Sequence, residues 1–198
     1  MPNSYSRQLV LASTSPFRRA LLERLELPFE TTSPDVDETA RDGEGPRDLV
    51  LRLAESKAKA GATGYPNALV IGSDQVACID RDILGKPGNR ERAIAQLEQA
   101  SGREVVFYTG LCLHDSASGQ TQVECIPFHV HFRKLFRRRI ESYLDREQPY
   151  NCAGSFKSEG LGIVLFERLE GDDPNALIGL PLIRLVSMLE QAGMEVLG

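Results

Sequence analysis

Residues 68–76, Ala68-Leu69-Val70-Ile71-Gly72-Ser73-Asp74-Gln75-Val76, begin with a short run of aliphatic side chains that leads into a carboxylate. Such a run predicts a strand that is buried on both faces of a sheet. In an open α/β sheet, ligands bind at the carboxyl ends of the strands. We therefore expect this strand to end at Ser73 and Asp74, and Asp74 to act in a cleft as a catalytic acid or base. The simpler alternative is that these two residues only turn the chain.

The composition limits the class of protein. The chain has 198 residues, a formal net charge of −5 and 41% hydrophobic residues. This is enough to bury the core of a single domain over residues 1–198, made of one or two closely joined lobes. The acidic balance argues against a nucleic-acid-binding surface, which needs many Lys and Arg contacts to phosphate. A small anionic ligand remains compatible with it if basic residues converge locally.

The cysteines and the N-terminus bear on the compartment. Cys78, Cys112, Cys125 and Cys152 are scattered and form no CxxC pair, which favours reduced thiols over a zinc site or a disulfide framework. Residues 1–7 are polar and too short for a signal peptide, and no apolar run reaches membrane length. We expect a cytoplasmic protein that binds neither membrane nor nucleic acid.

A helix is predicted to follow the first strand directly. Residues 8–12, apolar from Leu9 onward, predict the strand. Ser15 before Pro16 is typical of a helix start, with the hydroxyl as N-cap and proline in the first turn. The free backbone donors of that turn, together with Arg18 and Arg19, would suit a phosphate group. The alternative is a well-capped surface helix whose arginines are solvated.

An acidic loop comes next. Residues 33–39 are rich in turn formers and carry the carboxylates of Asp35, Asp37 and Glu38. Hard cations such as Mg²⁺ prefer oxygen ligands and often share them with substrate phosphates. The loop is therefore either part of a cation site or merely solvated.

Two lysines are candidates for an anionic ligand. In the helix predicted over Pro46–Gly61, apolar spacing places Lys57 on the inner face and Lys59 about 200° away, on the outer face. An inward lysine either extends past its neighbours to water or brings charge to a ligand. Lys86 stands between Gly85 and Pro87, where the restricted backbone suits the placement of one ammonium group. An ordinary exposed loop lysine is the alternative there.

The second half of the chain changes from helical to strand periodicity. Residues 105–113 and 121–132 predict a hairpin, and Pro127 indicates an edge or a bulge. His129 and His131 share one face, but no further metal ligand is near in sequence, so we interpret them as solvated.

Further segments complete the prediction. We expect helices over residues 92–101, 135–146 and 181–191 and a strand over residues 163–166. The glycine-rich stretch 150–162 is either a connector or a ligand-binding segment in which Phe156 stacks on a planar ring.

Five segments together carry a family resemblance. They are residues 11–19, Val36-Asp37-Glu38, Ile71-Gly72-Ser73-Asp74, Gly85-Lys86-Pro87 and residues 152–160. In order and spacing, over essentially the whole chain, they resemble the Maf-like nucleotide pyrophosphatases. The resemblance implies an inosine-triphosphatase-like α/β fold, with a mixed twisted sheet flanked by helices and two lobes around a central cleft.

The same resemblance implies an activity. Members of this family are usually dimeric cytosolic hydrolases acting on acid anhydrides, and they cleave nucleoside triphosphates to the monophosphate and pyrophosphate with a divalent cation, Mg²⁺, Mn²⁺ or Co²⁺. The alternative from another class is a nucleotide-binding regulator of cell division without turnover, since the same pocket would serve it.

The resemblance also assigns roles to residues. Asp74 matches the family's proton acceptor and, with Glu38, its metal site. The positions that match its phosphate- and metal-handling residues are Ser13, Arg18, Glu38, Lys57 and Lys86.

One branch of the family is the better match. Gln75 and residues 155–160 resemble the branch that acts on 7-methylguanosine triphosphate, and Phe17, Gln75 and Glu159 match its base-specificity positions. A methylated guanine ring is positively charged, which suits the aromatic face of Phe17 and the carboxylate of Glu159. Two features depart from the branch: Phe17 stands where Trp is frequent, and Arg137-Arg138-Arg139 replaces a more acidic helix start.

Overall fold

The computed structural model describes residues 7–80 and 82–197, so all but the last residue of the polar N-terminus lies outside it. The strands are Gln8–Ala12 (β1), Glu30–Thr32 (β2), Ala68–Ile79 (β3), Asp82–Leu84 (β4), Glu104–Asp115 (β5), Thr121–Phe132 (β6) and Phe166–Glu170 (β7). The α-helices are Pro16–Glu23 (α1), Pro46–Gly61 (α2), Arg90–Ala100 (α3), Arg137–Glu147 (α4), Pro174–Ile178 (α5) and Leu182–Gln191 (α6). Short 3₁₀ turns cover Ala153–Ser155 and Leu161–Leu165.

All the described strands join one mixed sheet in the order β2-β1-β3-β5-β6-β7, and β4 adds to β3. β1 runs parallel to β2 and β3, whereas the other pairs are antiparallel. The sheet confirms the predicted α/β class, and β5 with β6 confirms the hairpin. β7 reaches only residues 129–132 of β6, so Pro127 lies on an unpaired edge as predicted. In the described part of the chain, no helix is both long and apolar enough to span a membrane.

The central strand is longer than predicted. β3 continues through Asp74 to Ile79, so the prediction that the strand ends at Asp74 is wrong. The ladder with β5 carries it on, with Asp74 opposite Gly110. β1, however, pairs only with residues 68–71 of β3. Asp74 therefore lies beside the carboxyl end of β1, where the parallel neighbour has stopped.

The buried core has two large clusters that share the long strands. In one, Ile79 of β3 and Phe107 of β5 pack with α3 and α4. In the other, Ile71 and Leu111 of the same strands pack with α1 and α6. β3 and β5 run continuously through both clusters.

Helix α2 lies unusually close to the sheet. A Cβ added at Gly72 would lie 2.1 Å from the carbonyl oxygen of Ala54, and one added at Gly110 would lie 2.1 Å from that of Val50. No side chain fits at either position, so glycine on β3 and β5 is what permits the approach. The consequence is that residues on the inner face of α2 reach the strand that carries Asp74.

Two helix boundaries differ from the prediction by two residues. α3 begins at Arg90, because the side chain of Asn89 caps it by accepting a hydrogen bond from the Arg92 amide at 2.9 Å. α4 begins at Arg137, and its three consecutive arginines are exposed as predicted.

The strand predicted at residues 163–166 is wrong. Residues Leu161–Leu165 form a 3₁₀ turn, and the strand β7 begins only at Phe166. The amide of Gly162 donates to the Lys157 carbonyl at 3.1 Å, which closes the chain into a turn before the apolar run. Ile163 and Val164 are consequently exposed.

Candidate active site

One cleft, with a volume of about 850 Å³, opens beside the carboxyl end of β1. Its walls come from segments that are far apart in the chain. They include every residue to which the family resemblance assigned a role: Ser13, Phe17, Arg18, Glu38, Lys57, Asp74, Gln75, Lys86 and Glu159. The structure thus brings these residues together, while their individual roles stay predictions.

Lys57 is the most enclosed cation of this cleft. The residue is only 9% exposed, and its Nζ lies 2.7 Å from Oδ1 of Asp74 and 2.6 Å from Oε1 of Glu38. Lys59 is exposed on the outer face of the same helix, where it pairs with Glu55 at 2.6 Å. The predicted inward and outward directions of the two lysines are therefore confirmed.

Glu38 contributes a second carboxylate to the ammonium group of Lys57. The hydrogen bond from Lys57 lowers the pKa of Glu38; partial burial acts in the opposite sense, and the positive charges of Lys57, Lys86 and Arg18 lower it further. Asp37, in the same loop, instead accepts a hydrogen bond from the Thr39 amide at 2.9 Å. Of the three acidic residues in this loop, only Glu38 lines the cleft.

Arg18 is held in the first turn of α1. The Ser15 hydroxyl caps this helix as predicted and accepts from the Arg18 amide at 3.4 Å. The Arg18 guanidinium donates from Nε to the Gly179 carbonyl at 2.8 Å and from Nη1 to the Ser13 hydroxyl at 3.4 Å. Burial lowers the pKa of Arg18, and the negative charges of Asp74 and Glu38 oppose that shift.

Arg19 does not join Arg18 at the cleft. Its side chain is exposed and pairs with Glu23 one turn further along α1, at 3.0 Å. Of the two arginines that we expected to form a phosphate site, only Arg18 lines the cleft.

Gln75 has its amide nitrogen fixed by the protein. Nε2 donates to the Ala176 carbonyl at 2.7 Å and to the Thr109 hydroxyl at 3.0 Å. A carbonyl oxygen can only accept, so the amide must turn its nitrogen toward Ala176. The group that Gln75 has left for a ligand is its carbonyl oxygen, Oε1.

The base-specificity residues and Phe156 differ in exposure. Phe17 is half-buried and Glu159 is exposed on the cleft wall. Phe156, by contrast, is 5% exposed and packs edge-on against three other phenylalanine rings. Phe156 lines the cleft, but its ring packs mainly in the core, so its stacking on a ligand ring stays a prediction.

Sequence reasoning missed two buried hydroxyl groups behind the cleft. Ser73 donates to the Gly179 carbonyl and Thr109 to the Ala176 carbonyl, each at 2.9 Å. Strand alternation does predict that Ser73 faces the side opposite Asp74. Nothing in the sequence indicated that the turn around α5 would meet it there.

The oxygen donors of the cleft fit a hard divalent cation. Glu38 and Asp74 converge on one ammonium group, so their carboxylates already share a small region. Among the described residues, no group of three His, Cys, Asp or Glu side chains could hold a metal ion. Two carboxylates alone suit a cation that completes its shell with water and substrate phosphates, as Mg²⁺ does.

The histidines that share one face of β6 lie outside this cleft. His129 pairs with Glu104 at 2.7 Å, and His131 pairs with Glu170 at 3.0 Å.

Comparison with curated proteins gives close relatives over nearly the whole length. The chain is 59% identical over 191 residues to the "7-methyl-GTP pyrophosphatase" of Colwellia psychrerythraea, covering 96% of each sequence. It is 60% identical to the protein of that name from Vibrio vulnificus, covering 96% of this chain and 98% of the relative. The Nitrosococcus oceani protein of the same name is 58% identical over 197 residues, covering 100% of this chain and 99% of the relative.

A family model also matches the chain over most of its length. The profile described as "Maf-like protein" matches residues 8–192, which include every predicted site residue. The resemblance that the five segments carried is thereby confirmed, and the chain belongs to the Maf-like protein family.

Proposed function

We propose that this protein hydrolyses the α–β phosphoanhydride bond of a nucleoside triphosphate, releasing the monophosphate and pyrophosphate, and that its preferred substrate is 7-methyl-GTP. The observation that carries the proposal is the convergence of Asp74 with Arg18, Lys57 and Lys86 in one cleft. The names of the three relatives support the choice of substrate.

The charges in the cleft favour catalysis over simple binding. Three cations suit a triphosphate, whose oxygens carry several negative charges. A carboxylate next to such a polyanion repels it unless the carboxylate takes up a proton or shares a cation with the phosphates. A hydrolase therefore has a use for the carboxylate of Asp74, whereas a protein that only binds nucleotides does not.

Asp74 is assigned as the general base. Its carboxylate accepts a proton from the water that attacks the α-phosphorus, and pyrophosphate leaves. Lys57, at 2.7 Å, fixes the direction of this carboxylate. Arg18, Lys57 and Lys86 donate hydrogen bonds to the phosphate oxygens, on which negative charge develops during the reaction.

A divalent cation, Mg²⁺, Mn²⁺ or Co²⁺, belongs to this proposal. Glu38 and Asp74 would hold it together with the triphosphate. When bound, it would supply neutralisation of the phosphate charge. Lys57 contacts both carboxylates, so it orients them for this role.

Three further residues of the cleft select the base: Phe17, Gln75 and Glu159. The ring of Phe17 presents an aromatic face to the positively charged methylated guanine, and the Glu159 carboxylate presents a negative charge. The Gln75 oxygen Oε1 accepts a hydrogen bond from the base. Unmethylated guanine lacks the positive charge and gains less from Phe17 and Glu159.

The proposal extends to a homodimer in the cytoplasm. Cys78, Cys112, Cys125 and Cys152 are free thiols, as suits a reducing compartment. The dimer rests on the family resemblance and is tested by light scattering of the purified protein.

A nucleotide panel tests the activity itself. The purified protein is incubated with 7-methyl-GTP, GTP, dTTP and UTP, with and without Mg²⁺ or Mn²⁺, and pyrophosphate and orthophosphate are measured separately. Metal-dependent pyrophosphate release that is fastest with 7-methyl-GTP supports the proposal. Orthophosphate as the only inorganic product would identify a plain phosphatase. Binding without turnover under every condition would favour the nucleotide-binding regulator.

A further inference from the structure

We propose that Ser73 is a positioning residue for Arg18 and that it acts through the main-chain carbonyl of Gly179. The inference rests on the proposed function in one respect: Arg18 is taken to bind the phosphates of the substrate. Ser73 itself touches no substrate in this scheme.

The Gly179 carbonyl joins the two side chains. It accepts a hydrogen bond from Arg18 Nε at 2.8 Å and another from Ser73 Oγ at 2.9 Å. A carbonyl oxygen has two acceptor sites, so these two donors use its full capacity. Ser73 is fully buried, which excludes water as a substitute for its hydroxyl.

Arg18 needs such a support. A long arginine side chain has many rotamers, and holding one of them costs conformational entropy. The guanidinium is planar, so the bonds from Nε to Gly179 and from Nη1 to Ser13 together define its plane. The N–H groups that remain are then directed as a set and are free for phosphate oxygens.

The segment that carries the Gly179 carbonyl, residues 176–179, is itself anchored. At its start, the Ala176 carbonyl accepts from Thr109 Oγ1 at 2.9 Å and from Gln75 Nε2 at 2.7 Å. At its end, Gly179 has φ +118°, and a Cβ there would lie 3.4 Å from Arg18 Nε. Ser73 thus fixes one end of a segment whose other end is already held.

The arrangement gives strand β3 two functions on its two faces. Asp74 points toward α2 and Lys57, whereas Ser73, the preceding residue, points toward Gly179. The same short piece of backbone therefore carries the proposed proton acceptor and determines where the phosphate-binding arginine lies. The link between these two groups passes from this strand through the Gly179 carbonyl to the guanidinium of Arg18.

A double-mutant cycle tests the link. Ser73→Ala alone should lower kcat/KM for 7-methyl-GTP by roughly three- to tenfold, the range for one lost hydrogen bond. In an Arg18→Ala background it should have less than about a twofold effect, because its target is gone. In a Lys86→Ala background the full loss should persist. An equal loss from Ser73→Ala in all three backgrounds would overturn the proposal.

Ser116→Ala is the matched control. Its hydroxyl donates to the Tyr65 carbonyl at 2.5 Å and accepts from the Ala68 amide at 2.9 Å, at the far end of β3. It should lower the midpoint of thermal unfolding while kcat/KM stays unchanged. If Ser73→Ala does not fold, Ser73→Cys keeps the side-chain size with a weaker donor and enters the same cycle.

A binding arm separates this inference from the proposed function. The affinity for inorganic tripolyphosphate with Mg²⁺ is measured by calorimetry for the same variants, and the same coupling between Ser73 and Arg18 is expected. If the wild type releases no pyrophosphate, the proposed function fails while this arm still tests the link. If the wild type turns over but the two substitutions are additive in both arms, only the positioning role of Ser73 is overturned.

Discussion

The Nζ of Lys57 and the Oδ1 of Asp74 lie 2.7 Å apart, across the contact between helix α2 and strand β3. The approach is possible because Gly72 and Gly110 leave no Cβ between the helix backbone and the sheet. The side chains of Lys57 and Asp74 are 11% and 13% exposed. Removal of Lys57 would leave Asp74 without its hydrogen-bonded cation, which makes the pair the first target for mutation.

Lys57→Met should lower kcat/KM for 7-methyl-GTP by about 10²-fold or more, because it removes both a phosphate donor and the group that orients Asp74. Lys59→Met is the matched control, since Lys59 is on the outer face of the same helix. It should leave kcat/KM within about twofold of the wild type. Steady-state kinetics of both variants measure this difference. Similar losses of kcat/KM in the two would contradict the role of Lys57 in the active site.

Asp74→Asn keeps the size of the side chain but cannot accept a proton in the same way. Pyrophosphate release should fall by about 10²–10⁴-fold, the usual contribution of a general base. Nucleotide affinity, measured by calorimetry, should persist because Arg18, Lys57 and Lys86 remain. An Asn variant with normal turnover would remove Asp74 from the mechanism.

Local patterns were sufficient to predict much of this site. The helical spacing of α2 gave the direction of Lys57 without any tertiary information, and the Ser15-Pro16 pair predicted the start of α1. Both predictions hold because the interactions involved lie within a few residues along the chain. The assembly of the remaining segments into one cleft was expected from the family resemblance.

The features that local patterns did not predict depend on partners far away in the sequence. β3 does not end at Asp74 because β5, more than thirty residues later, continues to pair with it. Phe156 belongs to the core because rings from β5, β6 and β7 surround it. Ser73 meets a carbonyl 106 residues away. Periodicity within a short window contains none of this information.

Glu38→Gln should raise the Mg²⁺ concentration for half-maximal activity by about tenfold or more, since an amide is a weaker ligand for a hard cation than a carboxylate. The Lys57 hydrogen bond lowers the pKa of Glu38, so this carboxylate stays ionised to a lower pH than that of an ordinary glutamate. Asp37→Asn, in the same loop but outside the cleft, is the control. An unchanged Mg²⁺ requirement in Glu38→Gln would exclude Glu38 as a ligand.

Glu159→Gln should reduce the ratio of kcat/KM for 7-methyl-GTP to that for GTP by about two- to fivefold, the range for an exposed charge pair. Only the methylated base carries the positive charge that the carboxylate would attract, so GTP turnover should change little. Glu167→Gln, exposed on β7 and away from the cleft, should leave the ratio unchanged. A ratio that is the same in all three proteins would remove Glu159 from base selection.

Asp115, at the end of β5, should make stability depend on acid pH. Burial alone would raise its pKa, but hydrogen bonds from Ser118 and Arg7 outweigh this and lower the pKa from 3.8 to about 2. The unfolded chain therefore takes up the proton first as the pH falls, so this part of the free energy of unfolding is complete above pH 3.8 and is lost toward pH 2.

Urea denaturation followed by circular dichroism, at several values of pH between 2 and 6, measures that dependence. Asp115→Asn should be less stable than the wild type at pH 6 and should lose less free energy of unfolding on acidification, because it has no carboxylate to protonate. Asp42→Asn, at an exposed position, should keep the dependence of the wild type. Equal losses in Asp115→Asn and the wild type would show that the contacts with Arg7 and Ser118 do not hold the carboxylate ionised in the folded protein.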